Sequence, residues 1–253
     1  MRILAVSINT FREAVRDRVL YVLLFFALGT ILGSKAIGWI TIGEDQKVVA
    51  DISLAAVSVF GALIAIFVGT NLIYKDIDKC TIYTILSRPM WRCEFILGKY
   101  LGLAALLGVV TFIMFAVAAL YFAVLGGTVT LTFVEATVLI YWQLLLVTAF
   151  SVLLSSLTSP ILGAIIVFSC YVLGHATGIL VDLPAHFDGS IWEGVCRGIY
   201  YLVPNLSNFD IRSEAANGVP VSAAYVIWTL VYGAIYTGML LAFAAMAFEN
   251  KDL

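Results

Sequence analysis

Charge is what this sequence lacks most. Asp, Glu, Lys and Arg make up 12% of 253 residues, against about 25% in an ordinary soluble domain. With 62% apolar residues and a mean hydropathy of +1.06, a soluble globule of this length is excluded. It could not keep its surface wetted and its apolar patches small. Disorder is excluded as well, because it requires low hydropathy and high net charge. A net charge of −2 removes a nucleic-acid-binding surface. What remains is a polytopic membrane protein.

Catalytic tools are also missing. There is no phosphate loop, since Gly98-Lys99 has Cys93 where the pattern needs glycine. There is no His-Glu-x-x-His zinc pair and no Gly-x-Ser-x-Gly nucleophile elbow. Histidine occurs only as His175 and His186. Cys80 and Cys93 lie thirteen residues apart with no histidine beside them, which does not make a metal site. The chain therefore reads as non-catalytic, with no metal and no cofactor of its own.

What is present is a set of long uncharged runs. There are 16 residues between Arg18 and Lys35, 23 between Asp51 and Lys75, and 35 between Lys99 and Glu135. A further 46 separate Glu135 from Asp182, and 34 separate Glu214 from Glu249. A spanning helix needs about 20 apolar residues. The 46-residue run holds two helices, broken near Ser155-Ser156-Leu157-Thr158-Ser159-Pro160, with Pro160 suited to the first turn of the second. The 35-residue run holds one helix and a turn at Gly126-Gly127. The expectation is an all-α polytopic fold with six transmembrane helices, at about 19–41, 52–74, 100–125, 135–156, 160–181 and 224–247. The first is read as an uncleaved anchor, because no small-x-small cleavage site precedes the charges after it. Lys35 snorkels from its end. The whole of 1–253 is one transmembrane domain.

Six spans put both termini on one side. With the termini in the cytoplasm, ten of the fourteen Lys and Arg lie inside and four outside, as the positive-inside rule requires. The location is then a cytoplasmic (inner) membrane, multi-pass. Only Cys196 faces the oxidising side, where a disulfide could form only with Cys196 of a second copy.

Residues 8–18 read as an amphipathic interface helix lying against membrane lipid. Thr10-x-x-Glu13 fits a capping box, and Ile8, Phe11, Val15 and Val19 form a stripe with Arg12 and Arg16 off it. The cytoplasmic loop 75–99 carries more apolar residues than a loop needs: Ile77, Ile82, Tyr83, Ile85 and Leu86. Asp76 or Asp78 caps a short helix there, and Pro89 ends it through Arg88. Such a surface marks a protein partner or is buried against the membrane.

These stretches carry a family likeness. Gly69-Thr70-Asn71-Leu72-Ile73-Tyr74-Lys75-Asp76-Ile77-Asp78-Lys79-Cys80-Thr81-Ile82-Tyr83-Thr84-Ile85-Leu86-Ser87-Arg88-Pro89, continued by Phe95-Ile96-Leu97-Gly98-Lys99-Tyr100, resembles the first cytoplasmic loop of type-2 ABC exporter permeases. The opening Asn9–Tyr21 and the outer Tyr201–Asp210 are similar to the same family. The nearest branch is that of nitrous-oxide-reductase maturation (copper-processing) permeases. Cys80 stands where the family would carry a charge.

The resemblance implies a separate ABC ATPase subunit in two copies, which binds ATP and Mg. It implies a coupling helix around Asp78–Ser87 seated in that ATPase, with Asp78, Thr81, Ile82, Tyr83, Ile85, Leu86 and Arg88 as contacts. It implies an interface helix beside the coupling helix, presenting Phe11, Arg12, Val15 and Arg16. It also implies a second permease chain, identical or different, meeting through spans 1, 2 and 5.

Small residues suit close helix packing in lipid. They occur at Gly61, Ala65 and Gly69 in span 2, at Gly174 and Gly178 in span 5, at Gly98 and Gly102 entering span 3, and at Gly238 and Ala242 in span 6. His175 is an ionisable side chain inside a span, which makes it a functional candidate. With no carboxylate on its helix, it reads as a neutral histidine bonded to a neighbour, and Asn71 reads likewise. No charge lies at mid-span, so the cargo is apolar or amphipathic. The outer segment 182–223, with Trp192, Tyr200, Tyr201, Pro204 and Phe209, is either re-entrant or an aromatic belt. Two functions fit: an exporter permease driven by a separate ATPase, or a scaffold that passes ATPase motion to an outer partner protein with no cargo crossing.

Overall fold

The computed structural model describes residues 2–38, 45–78, 92–177 and 203–249. Among the described residues there are helices and no strands. That is the expected answer to lipid, where each backbone polar group must find its partner within the segment. The helices are α1 (Arg2–Val15), α2 (Arg18–Gly38), α3 (Asp45–Asp78), α4 (Arg92–Val124), α5 (Leu131–Leu157), α6 (Pro160–His175), α7 (Arg212–Asn217) and α8 (Ala223–Glu249). A single 3₁₀ turn at Ser207–Phe209 precedes α7.

Five of them, α2, α3, α4, α5 and α8, are long and apolar enough to cross a membrane. α6 is apolar but has sixteen residues. At about 1.5 Å per residue that is about 24 Å, short of a hydrocarbon core of about 30 Å. The expected span 160–181 is thus corrected: the helix stops at His175 because Ala176 leaves helical geometry (φ −93°, ψ 17°). The exposed carbonyls of that last turn are taken up from outside the helix. Leu206 N donates to Gly174 O at 2.9 Å, and Ser207 Oγ donates to His175 O at 3.1 Å.

α3 and α4 begin earlier than expected, and α3 also ends later. With 34 and 33 residues, each is about 50 Å long and projects beyond any bilayer core. Their flanking charges therefore mark the membrane boundary without ending the helix. Lys99 shows this, lying inside α4 with only 2% of its side chain exposed.

α3 and α5 form the centre. In the most apolar window of each, 67% and 61% of residues are buried, against 17% in α8. Gly61, Ala65 and Gly69 provide the seam between them. A Cβ on Gly61 would sit 2.6 Å from Leu144 Cδ1, and one on Gly69 would sit 2.8 Å from Ser151 Cβ. The stripe is thus occupied by α5 of the same chain. Polar side chains then bolt helix to helix through backbone carbonyls. Ser155 Oγ donates to Thr70 O (2.9 Å), Tyr141 OH to Ala104 O (3.1 Å), Tyr121 OH to Leu32 O (2.8 Å) and Trp142 Nε1 to Leu230 O (3.0 Å).

The turns follow the local chemistry. Gly126 takes a left-handed conformation (φ 82°) after α4, where Gly127 N closes on Phe122 O at 3.0 Å; this is the glycine stop of a helix C-terminus. Pro160 opens α6 as expected.

The amino-terminal helix corrects two expectations. α1 begins at Arg2, not near residue 8, so Thr10 is interior and forms no capping box. The cap belongs to the next helix, since Asp17 Oδ1 accepts Val19 N at 3.0 Å at the start of α2. The expected apolar stripe is split. Phe11 and Val15 pack on the protein core, while Ile8 is exposed. The reason is α4: Gly98 and Gly102 form a flat seat, where Val6 and Thr10 approach within what would be 2.7 and 2.6 Å of an added Cβ. Lys99 on the same turn meets Glu13 at 3.6 Å and lies over the Phe95 ring.

Candidate functional site

Two features of the bundle have the geometry of a working site. The first is a groove of about 410 Å³ between α3 and α6. Ile66, Phe67, Ile165 and Phe168 are among its walls. Three polar residues also line it, and each donates a hydrogen bond back to its own helix. Thr70 Oγ1 donates to Ile66 O (2.8 Å), Asn71 Nδ2 to Phe67 O (2.8 Å) and Ser169 Oγ to Ile165 O (2.9 Å). A hydroxyl that returns its hydrogen to its own helix offers a neighbouring molecule mostly carbon. The groove is therefore chemically more apolar than its residue types suggest.

The second is a polar node where α3, α5 and α6 meet the chain returning at 203–212. Gln143 of α5, 1% exposed, has its Nε2 3.2 Å from His175 Nε2. His175 Nδ1 lies 3.1 Å from Tyr171 O. A neutral imidazole satisfies both contacts when Nδ1 carries the proton, donating to the carbonyl and accepting from the amide at Nε2. Tyr171 lies beside His175 with its ring tilted (centroids 4.6 Å apart, planes 52° apart), and its OH meets Ser58 Oγ of α3 at 3.2 Å.

The returning chain is fastened to the end of α6. A Cβ on Gly174 would stand 2.8 Å from Pro204 O and Leu206 Cγ, so only glycine admits this approach. Thr177 Oγ1 donates to Asn205 Oδ1 at 2.9 Å, and Asn205 N donates to Tyr232 OH of α8 at 3.0 Å. Phe209 is fully buried, so of the two readings of this segment, residues 203–209 are packed into the bundle and do not form a belt.

Asp210 and Arg212 close the node with a side-chain pair, Arg212 Nε to Asp210 Oδ1 at 2.7 Å. Burial by itself would raise the Asp210 carboxyl. The hydrogen bonds and charge of Arg212 outweigh that and hold it below its ordinary value, while Arg212 is raised, first by its hydrogen bond to Asp210. A carboxyl lowered in the folded state stabilises fully above its unfolded value of 3.8 and loses that contribution as pH falls through the lower folded value. The contribution of the Asp210–Arg212 pair itself is therefore expected to be constant above 3.8 and to be lost only as pH falls below it. Thermal unfolding of the wild type against Asp210→Asn checks this. The variant should lose the stability at neutral pH and show a flatter acid limb.

Of the residues singled out from the sequence, Phe11, Arg12, Val15 and Arg16 lie on or just after α1, with the arginines exposed. Gly61, Ala65 and Gly69 lie together on the α3–α5 seam, and Gly174 lies in the node. Asp78 is the last residue of α3. Thr81, Ile82, Tyr83, Ile85, Leu86, Arg88 and Gly178 lie outside the described residues. Gln143, Tyr171, Ser58 and Asn205 were missed. A lone glutamine amid 46 uncharged residues was the one signal available.

Among protein-family models, residues 4–253 match one described as ABC-2 family transporter protein. No curated protein matches the chain.

Proposed function

The chain belongs to the ABC-2 family of transporter proteins, a membrane component generally without catalysis that works with an ABC ATPase, and on that premise we propose that it is the permease subunit of an exporter. It moves an apolar or amphipathic cargo across the inner membrane, with both termini cytoplasmic. Two ATPase subunits supply ATP and Mg, and a second permease chain, identical or different, completes the conduit. Counted with the five long helices, α6 makes six crossings. The observation that carries the cargo chemistry is the α3–α6 groove, walled mainly by apolar side chains, with each of its three polar residues donating a hydrogen bond to its own helix. The finer likeness to the copper-maturation branch rests on the sequence stretches 9–21, 69–89 with 95–100, and 201–210.

The ATPase contact is placed at Asp78, Thr81, Ile82, Tyr83, Ile85, Leu86 and Arg88. α3 supports this placement, because it continues as helix to Asp78 and so delivers the coupling segment on a rigid rod. Motion of the docked ATPases would reach the groove through that rod as hinge or shear movement.

Aspartate at Ile82, Tyr83 and Leu86 together is expected to abolish co-purification of the ATPase while membrane insertion stays normal. An ATPase that still co-purifies sinks the coupling assignment. Titrating lipids, peptides and metal carriers against the ATPase activity of the complex then tests the cargo. One observation favours the rival scaffold reading: residues 203–209 are fastened to α6 and α8, so motion of those helices would be passed to an outer partner. Flat cargo titrations alongside a stably bound outer protein would select it.

A further inference from the structure

We propose that Arg12, Arg16 and Arg18 form a binding row for anionic lipid headgroups at the face of the membrane where α1 turns into α2. All three side chains are exposed. Arg12 and Arg16 are one helical turn apart, and Arg18 is the first residue of α2, whose apolar window runs Arg18–Ala36. The guanidinium groups therefore stand where a membrane changes from headgroup to hydrocarbon.

The row is interleaved with carboxylates in sequence, Glu13 and Asp17, and would seem close to neutral. The fold gives each carboxylate a partner outside the row. Glu13 reaches across α1 to Lys99 of α4 at 3.6 Å. Asp17 turns its Oδ1 onto the backbone N–H of Val19 at 3.0 Å. Among the described residues, no ion pair involves Arg12, Arg16 or Arg18. With Lys99 offsetting Glu13, three exposed arginines face one carboxylate, Asp17, so the row keeps a net positive charge, and Arg presents a planar fork suited to phosphate oxygens.

The same row continues towards the amino terminus as Ile8 and Leu4, which are 45% and 66% exposed. A helix face that is cationic at one end and apolar at the other fits a lipid surface, which supplies phosphate and acyl chain together. An acidic protein surface would satisfy the arginines but leave Leu4 and Ile8 facing polar groups. The inference rests on α2 being a membrane span and is independent of the cargo.

The test uses the full-length protein in nanodiscs of equal parts phosphatidylcholine and phosphatidylglycerol. The protein is extracted gently, and retained lipid is measured by mass spectrometry. Phosphatidylglycerol should be enriched over phosphatidylcholine, and the enrichment should fade at high salt. Arg12→Gln with Arg16→Gln and Arg18→Gln should lose about tenfold or more of it, from about 1 kcal/mol per cationic side chain near an anionic surface. The corresponding lysine triple variant should retain most of it. Equal retention of the two lipids overturns the proposal, as does enrichment that the glutamine variant leaves unchanged. If the glutamine variant instead loses the ATPase and keeps its lipid, the row belongs to a protein partner. Should that variant fail to insert, the salt titration of the unaltered protein decides, and salt-insensitive enrichment overturns the proposal.

Discussion

Gly102→Leu should strip α1 from the bundle and lower stability by about 3 kcal/mol or more, beyond the usual 1–3 kcal/mol of an overpacked site. The argument is steric and specific. Even a bare Cβ at Gly102 would stand 2.6 Å from the backbone oxygen of Ser7 and 2.6 Å from Thr10 Cβ. A backbone carbonyl inside a helix cannot move aside as a side chain can, so the whole of α1 must lift. Lifting it also breaks the Glu13–Lys99 ion pair that ties α1 to α4. Even Gly102→Ala should be harmful.

The control is built into the same bundle. Gly29 and Gly33 of α2 have nothing within 4 Å of an added Cβ. Alanine there should be neutral or slightly stabilising, by up to about 1 kcal/mol, because it removes backbone freedom from the unfolded chain. Thermal unfolding in detergent, with protease cleavage of the amino terminus as a second readout, separates the two sites. A Gly102→Leu protein as stable as Gly29→Ala would refute the seat described for α1.

The second large effect is expected at the polar node. Gln143→Leu leaves His175 Nε2 without its amide partner, and His175→Phe leaves the buried Gln143 amide without its acceptor. Each should cost about 1–3 kcal/mol, the penalty for leaving a buried polar group unsatisfied. The double variant removes both groups and should cost less than the two single costs added. The difference should fall near the 0.6–1.7 kcal/mol measured for such pairs inside membranes. Unfolding free energies in mixed micelles for the four proteins provide the cycle. Strict additivity would mean that the 3.2 Å contact contributes nothing, and the node would then be held by its other contacts.

Both sites show where reading the sequence stopped. Gly98 and Gly102 were visible as a four-residue pair, yet nothing in their spacing says which helix will lie on them. The apolar stripe Ile8, Phe11, Val15 pointed to a helix lying on lipid, because periodicity reports that one face is buried and does not say against what. Phe11 and Val15 are half-buried, but against protein. The end of α6 was misjudged for a related reason. The uncharged run continues to Val181, and hydropathy has no term for a helix whose last carbonyls are met by a chain thirty residues later.

By itself the sequence determined the class of molecule, and it did so through charge. Burying a charge in hydrocarbon is so costly that the 12% charged residues had to fall between or at the ends of the spans. Their positions therefore located the helices. The tertiary structure alone decided the pairings: α5 on the Gly61–Gly69 stripe, α1 on Gly98 and Gly102, Gln143 on His175, and Glu13 turned from its arginine neighbours to Lys99. The physical reason is that lipid treats every apolar face alike. Helix partners are then chosen by close backbone approach and by single hydrogen bonds, contacts between residues tens of positions apart that leave no periodic mark on the chain.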